Sequence, residues 1–121
     1  MVKVLIIDDS SFQRKILTGM LTELGCEVVP ADNGMEGINR AKKDAPDILI
    51  TDLLMPEYNG FWVMEQIAAH HLTLPVIVIT SDIQTTTVER CHQMGAKAFL
   101  NKPVKKEDLH AAIRTALAGG T

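Results

Sequence analysis

The sequence predicts an α/β protein in which five parallel strands form one sheet that is covered by helices on both faces. Apolar runs alternate five times with segments in which apolar residues recur at helical spacing. Some runs are unbroken, as in strands buried on both faces, and residues 76–79 are the clearest example. Four of the runs end directly on small polar or charged residues, and open α/β sheets bind ligands at that edge.

Residues 2–7 are predicted as the first strand, which stops at Asp8. The first helix is expected to follow, with Ser10 or Ser11 as its N-cap and Gly25 at its end. The apolar residues at near-helical spacing, which we expect to form its buried face, are Phe12, Ile16, Met20 and Leu24.

Residues 26–29 are predicted as a short second strand, followed by a turn at Asn33 and Gly34. The second helix then stops before Pro46, and residues 47–51 form the third strand. The apolar residues of this second helix are Met35, Ile38 and Ala41.

A loop at residues 56–60 precedes the third helix, which stops before Pro75, and residues 76–79 are the fourth strand. The apolar face of the third helix is predicted to hold Phe61, Met64, Ile67 and Ala68.

Three consecutive threonines, residues 85–87, open the fourth helix, and β-branched residues form helices poorly. We therefore expect a soft start to this helix, with Thr86 and Glu89 at capping-box spacing and Gly95 as terminator. Its apolar residues are Val88, Cys91 and Met94.

Residues 97–101 are predicted as the fifth strand, and the fifth helix is expected to fray at Gly119 and Gly120. Its apolar face is predicted to consist of Leu109, Ala112, Ile113, Ala116 and Leu117.

Composition narrows the function classes. The 121 residues predict a single domain, residues 1–121, and no stretch approaches the roughly 20 apolar residues of a membrane span or resembles a signal peptide. We therefore expect a cytoplasmic protein without membrane insertion. A net charge of −3 and the lack of a basic stripe argue against direct nucleic-acid binding. Cys26 and Cys91 are expected to be small buried hydrophobes.

Three carboxylates follow strands that would end at the same edge: Asp8 and Asp9 after the first, and Asp52 after the third. Two such charges at ~4 Å repel by about 4 kcal/mol at an effective dielectric constant of ~20. A bound cation removes that penalty, and oxygen ligands suit Mg²⁺ far better than zinc. The sequence therefore predicts a magnesium site.

Lys102, after the fifth strand, would add positive potential beside Asp52, and its bond to Pro103 can adopt the cis form. Asp52 could then act as nucleophile toward a phosphoryl donor, because carboxylates form aspartyl-phosphate intermediates. Thr80, after the fourth strand, offers a hydroxyl to a phosphoryl oxygen.

These residues, together with Met55, Pro56 and Gly60 downstream of Asp52, occur in the order found in one family. The whole chain resembles CheY-like response-regulator receiver domains. The resemblance implies a flavodoxin-like three-layer (βα)5 fold with strand order 2-1-3-4-5, which the residues alone do not establish.

The resemblance further implies that Asp52 accepts a phosphoryl group from a histidine kinase or phosphotransfer protein. Mg²⁺, for which Mn²⁺ could substitute, would be held by Asp8, Asp9, Asp52 and the backbone carbonyl of Leu54. The chain would then promote its own phosphorylation and dephosphorylation without being a turnover enzyme.

As implied by the same resemblance, Thr80 moves toward the phosphoryl group and Phe99 turns inward, which switches a surface of the fourth helix, fifth strand and fifth helix. No output domain follows Leu117, so we expect control of a separate protein, unless the chain is a domain excised from a longer one. A monomer or a weak, phosphorylation-linked dimer is expected.

Some positions depart from the commonest receiver pattern. Ser81 replaces alanine or glycine, and Phe99 replaces the frequent tyrosine. Leu54 and Asp82 occupy variable positions that influence dephosphorylation in this family, so the phosphoryl lifetime stays open.

The residues also bear on three other classes of function. A haloacid-dehalogenase-like phosphatase needs a second acid two residues after the nucleophile, where Leu54 stands. A dinucleotide or flavin binder needs a glycine-rich loop after the first strand, where Asp8 and Asp9 would repel a pyrophosphate. A phosphorylation-independent interaction module of the same fold remains the alternative, although no acceptor or metal residue is lost.

Overall fold

The computed structural model describes residues 1–118, which form five strands and five helices in strict alternation. The strands are β1 (Lys3–Ile7), β2 (Glu27–Ala31), β3 (Ile48–Thr51), β4 (Val76–Thr80) and β5 (Ala98–Asn101). The helices are α1 (Ser11–Glu23), α2 (Gly34–Asp44), α3 (Gly60–Ala69), α4 (Thr85–Gln93) and α5 (Lys106–Ala118). The predicted fraying at Gly119 and Gly120 lies outside the described residues.

All strand pairs are parallel, and the sheet order is β2-β1-β3-β4-β5, so the predicted fold class and strand order are confirmed. β1 lies between β2 and β3, with Leu5 in register with Val29 and Leu49. The strand order reverses at β1, and this is the position at which open α/β sheets form a binding crevice.

Side chains of the central strands alternate between two buried clusters. Leu5 and Ile7 of β1 point to the side covered by α2, α3 and α4, whereas Val4 and Ile6 point to the side covered by α1 and α5. All four are completely buried. The central strands are therefore fixed from both faces, which holds their carboxyl ends in place.

The predicted buried face of α1 is correct only in its second half, where Met20 and Leu24 are partly buried against the cluster under α1 and α5. Phe12 is 68% exposed and Ile16 36% exposed, while Leu17 and Leu21 are buried against the sheet. Two apolar stripes one residue apart run along this helix, and consecutive residues differ by about 100° around the axis. Helical spacing alone does not determine which of the two stripes faces the sheet.

Several element edges also differ from the prediction. β2 extends through Pro30 to Ala31, and Asn33 is the N-cap of α2, its side chain accepting a hydrogen bond from Glu36 N at 2.9 Å.

Besides Phe12 and Ile16, three more residues that were predicted for buried helix faces are exposed in the structure. They are Met35, Ala68 and Leu117.

The predicted capping box of α4 is also not the observed cap. The helix begins at Thr85, so Gln84 is its N-cap, and within the described chain the Gln84 side chain makes no capping hydrogen bond. Cys26 and Cys91 are free and buried, as predicted. Over residues 1–118, the helices lack the length and apolar character needed to cross a membrane.

Candidate functional site

Three carboxylates meet at the carboxyl edge of β1 and β3. Oxygen atoms of Asp8, Asp9 and Asp52 all lie within 4.8 Å of one another. Asp8 and Asp52 are buried, at 2% and 7% exposure, whereas Asp9 is exposed. The backbone of both buried residues continues the sheet, with Asp8 N donating to Ala31 O and Asp52 N to Ile7 O. The sheet ladder thus positions the two buried acids.

Each carboxylate oxygen of Asp52 has its own hydrogen-bond partners. Oδ1 accepts from the backbone N–H of Leu53 at 2.7 Å and of Leu54 at 3.2 Å. Oδ2 accepts from Lys102 Nζ at 2.8 Å. Backbone donors and a cation together fix the carboxylate plane.

Lys102 bridges the two buried acids, because its Nζ also donates to Asp8 Oδ2 at 2.9 Å. Burial by itself would lower the pKa of the Lys102 ammonium, but its hydrogen bonds and charge interactions with Asp52 and Asp8 outweigh burial and raise the pKa. Lys102 therefore stays protonated at neutral pH. Its bond to Pro103 is cis, as predicted.

Asp8 makes two further hydrogen bonds with residues that are close to it in the sequence. Its Oδ1 accepts a hydrogen bond from Ser10 N at 2.9 Å, and its backbone carbonyl accepts one from the Arg14 guanidinium. Ser10 also caps α1 through a 3.2 Å bond from Gln13 N, so the predicted cap is present. Sequence reasoning missed Arg14, which lies on a helix surface with no motif to single it out.

Thr80 ends β4, is completely buried and connects to α4 through Asp82. The Thr80 hydroxyl oxygen accepts a 3.4 Å hydrogen bond from Asp82 N. The Asp82 carboxylate in turn accepts from Gln84 N at 3.2 Å and from Thr87 Oγ1 at 3.1 Å. Asp82 therefore binds the first turn of α4, although it lies three residues before the helix.

Phe99 lies on β5 in register with Val78 and is half-buried against the cluster under α2, α3 and α4. The reporter role assigned to Phe99 stays a prediction. Leu54 presents its backbone N–H to Asp52, and its side chain is 56% exposed. The metal-binding role assigned to the Leu54 carbonyl stays a prediction.

Gly60 allows its own backbone to pass close to the backbone of Asp52. A Cβ atom at this position would lie 2.4 Å from the Asp52 carbonyl oxygen, and Gly60 N donates to Leu53 O at 3.1 Å. Only glycine fits there without displacing backbone atoms.

The donor set of the site fits a hard divalent cation. Three carboxylates supply only oxygen ligands, and each can direct one atom to a common point. Asp9 faces solvent, which provides a route for the ion and its water ligands. A phosphoryl group placed here would meet the Lys102 ammonium and lie at the strand end that carries the Thr80 hydroxyl.

The sheet is doubly wound and parallel, and its carboxyl edge carries a carboxylate triad, a partly buried lysine and a buried hydroxyl. These features define the class of receiver-type signalling domains. Comparison with known proteins agrees, because residues 4–114 match the response regulator receiver domain family. The chain belongs to that family.

Two relatives illustrate the membership. Protein PilH of Pseudomonas aeruginosa is 37% identical over 121 residues, which cover 98% of this chain and all of PilH. Transcriptional regulatory protein PdtaR of Mycobacterium tuberculosis is 37% identical over 117 residues, which cover 96% of this chain but 57% of PdtaR. The chain thus spans a little over half of the second relative.

A solved receiver domain from Clostridium thermocellum superposes with a TM-score of 0.92 at 29% identity, covering 99% of this chain and 97% of that one. The chain is therefore a receiver domain of two-component signalling. Receiver domains act as signalling proteins that interact with histidine kinases and output domains.

Proposed function

We propose that Asp52 accepts a phosphoryl group from a phosphohistidine of a histidine kinase or phosphotransfer protein, in a Mg²⁺-dependent reaction. The observation that carries this proposal is the placement of Lys102 between Asp52 and Asp8, with the exposed carboxylate of Asp9 beside them. The product is an aspartyl phosphate that alters the α4, β5 and α5 surface for a separate output protein.

In the reaction, an Asp52 oxygen attacks phosphorus as the bond to the donor imidazole breaks. The imidazole leaves with the electron pair of that bond and takes a proton from solvent. Asp8, Asp9, Asp52 and the Leu54 carbonyl would hold Mg²⁺, which would offset negative charge on the transferring group. Asp52 attacks as a carboxylate, the nucleophile that forms aspartyl phosphates in other enzymes.

Lys102 supplies a fixed positive charge beside the accepting carboxylate. Its Nζ lies 2.8 Å from Asp52 Oδ2, so it is within reach of a phosphoryl oxygen on that atom. The raised pKa keeps this charge in place throughout the physiological range. We assign Lys102 to stabilising the transferred group and to restoring the ion pair with Asp8 after dephosphorylation.

Thr80 and Phe99 are proposed as the switch. The buried Thr80 hydroxyl turns toward the new phosphoryl oxygens, and this motion breaks its contact with Asp82 N. Because Asp82 binds Gln84 N and Thr87 Oγ1, the first turn of α4 moves when Asp82 moves. Phe99 then moves inward into the space that Thr80 leaves.

The test is intact mass after incubation with acetyl phosphate, with and without Mg²⁺, for the native protein and Asp52→Asn. A single phosphoryl adduct that requires both Mg²⁺ and Asp52 supports the proposal. An adduct on Asp52→Asn at the native rate would show that another residue is the acceptor. No adduct on the native protein, with Mg²⁺ binding shown separately, would favour a phosphorylation-independent interaction module.

A further inference from the structure

Helix α4 is attached to the rest of the domain by few contacts. Of its nine described residues, only Cys91 is buried. Its first turn consists of three threonines, and the Asp82 carboxylate, outside the helix, accepts hydrogen bonds from Gln84 N and Thr87 Oγ1. Elements with little buried apolar area open at low free-energy cost, so a single added contact can change the position of α4 measurably.

A side-chain contact between Arg90 and Phe61 joins α4 to α3. The guanidinium carbon of Arg90 lies 3.8 Å from the centroid of the Phe61 ring. Phe61 is the second residue of α3 and follows Gly60, which packs directly on the Asp52 backbone. Phe61 therefore lies on a part of the chain tied to the acceptor strand, whereas Arg90 lies on the loosely held helix.

We propose that Arg90 is a positioning residue, and that its contact with Phe61 holds α4 in the unphosphorylated arrangement and opposes the switch. The switch itself rests on the proposed function. A cation over a ring face is attracted by the ring quadrupole, and the attraction falls quickly when the two separate. Displacement of α4 breaks this contact, so its strength adds to the free energy that phosphorylation must supply.

The contact is tested by a double-mutant cycle of Arg90→Met and Phe61→Leu, with Arg90→Lys as the variant that keeps the charge. Two quantities are measured on each protein: hydrogen exchange of α4 amides, and affinity for beryllofluoride with Mg²⁺, a phosphoryl analogue. Urea unfolding of each variant reports global stability, which the exposed Arg90 is expected to affect little.

Arg90→Met is expected to speed α4 exchange about threefold and to tighten beryllofluoride binding by up to the same factor. Arg90→Lys restores part of both effects. In the Phe61→Leu background, Arg90→Met changes neither quantity further, because the ring face is already gone. That non-additivity separates a contact between the two side chains from two unrelated effects.

Unchanged α4 exchange in Arg90→Met overturns the proposal, as does faster exchange without tighter beryllofluoride binding, because then the contact does not oppose the switch. Equal effects of Arg90→Met in both backgrounds also overturn it. Native protein that binds Mg²⁺ but not beryllofluoride refutes the proposed function instead, and the exchange data then still decide whether Arg90 restrains α4.

Discussion

The Lys102 ammonium lies 2.8 Å from Oδ2 of Asp52, although the two residues follow β5 and β3, which are not adjacent in the sheet. The lysine therefore reaches across the end of β4 to the acceptor. Since Nζ also binds Asp8, one cation links three strand ends and serves as the shared counter-charge of two buried carboxylates. The site depends on this link both for its electrostatics and for its shape.

Lys102→Met is expected to lower the free energy of unfolding by about 3 kcal/mol in the absence of Mg²⁺, because two buried carboxylates lose their counter-charge. The same change should slow phosphorylation by acetyl phosphate at least 100-fold, as removal of an electrostatic donor does in other active sites. Urea unfolding with and without Mg²⁺ measures the first effect.

Saturating Mg²⁺ is expected to recover most of the stability lost in Lys102→Met, because a cation at the carboxylates replaces the missing charge. The exposed Lys106→Met is the matched control, since its 3.3 Å pair with Glu23 is at the surface and contributes little. Equal unfolding midpoints for Lys102→Met and Lys106→Met would refute the role given to Lys102.

Asp9→Ala is expected to weaken Mg²⁺ binding at least tenfold while leaving stability nearly unchanged, because Asp9 is an exposed ligand. Asp32→Ala is the matched control: it is an exposed aspartate lining the same cavity of about 360 Å³ as Asp9, but it does not belong to the carboxylate triad. Calorimetric titration with Mg²⁺ compares the two variants. Equal Mg²⁺ affinities would mean that bulk negative charge, and not coordination by Asp9, attracts the ion.

Thr80→Ala is expected to retain phosphorylation of Asp52 within about tenfold but to lose the α4 response, because the hydroxyl that accepts from Asp82 N is absent. Thr80→Ser keeps that oxygen and should respond as the native protein does. Hydrogen exchange of α4 with and without beryllofluoride and Mg²⁺ provides the measurement. A full α4 response in Thr80→Ala would show that the signal reaches the helix by another route.

Gly60→Ala is expected to destabilise the fold by about 1–3 kcal/mol, since the added Cβ would lie 2.4 Å from the Asp52 carbonyl oxygen. Gly19→Ala is the opposite case: this helical position has no neighbouring atom within 4 Å, so alanine should stabilise by about 0.5–1 kcal/mol. Urea unfolding of both variants checks the pair, and a Gly60→Ala protein as stable as the native one would contradict the close approach.

The positions of the candidate site residues are predictable from the sequence, because polar residues that follow buried strands of a parallel sheet lie at one edge of it. Asp8, Asp52, Thr80 and Lys102 were all predicted from that rule, and the structure brings them to that edge. The strand order could not be predicted in the same way. Alternation of strands and helices allows several strand orders, so the predicted order rested on the family resemblance.

The sequence was weaker where two local patterns compete. On α1, the stripe containing Phe12 and the stripe containing Leu17 have equal periodicity, and only packing on the sheet distinguishes them. At α4, Thr86 and Glu89 have capping-box spacing, yet Gln84 is the N-cap, and Asp82 binds Gln84 N and Thr87 Oγ1. The contact between Arg90 and Phe61 joins two helices that are distant in the sequence. The sequence around either residue does not indicate that contact.

Because Cys26 and Cys91 are buried, we expect the free energy of unfolding to fall at alkaline pH. Burial raises the pKa of Cys26, and it raises that of Cys91 more than nearby Arg90 lowers it. Above a pH of about 8.5 the unfolded thiols lose protons first, so the unfolded state binds fewer protons and the free energy of unfolding falls. Urea unfolding from pH 7 to 10 should show this fall, and a protein with both Cys26→Ala and Cys91→Ala should show a shallower one. Identical pH slopes for the two proteins would mean that other groups cause the alkaline loss.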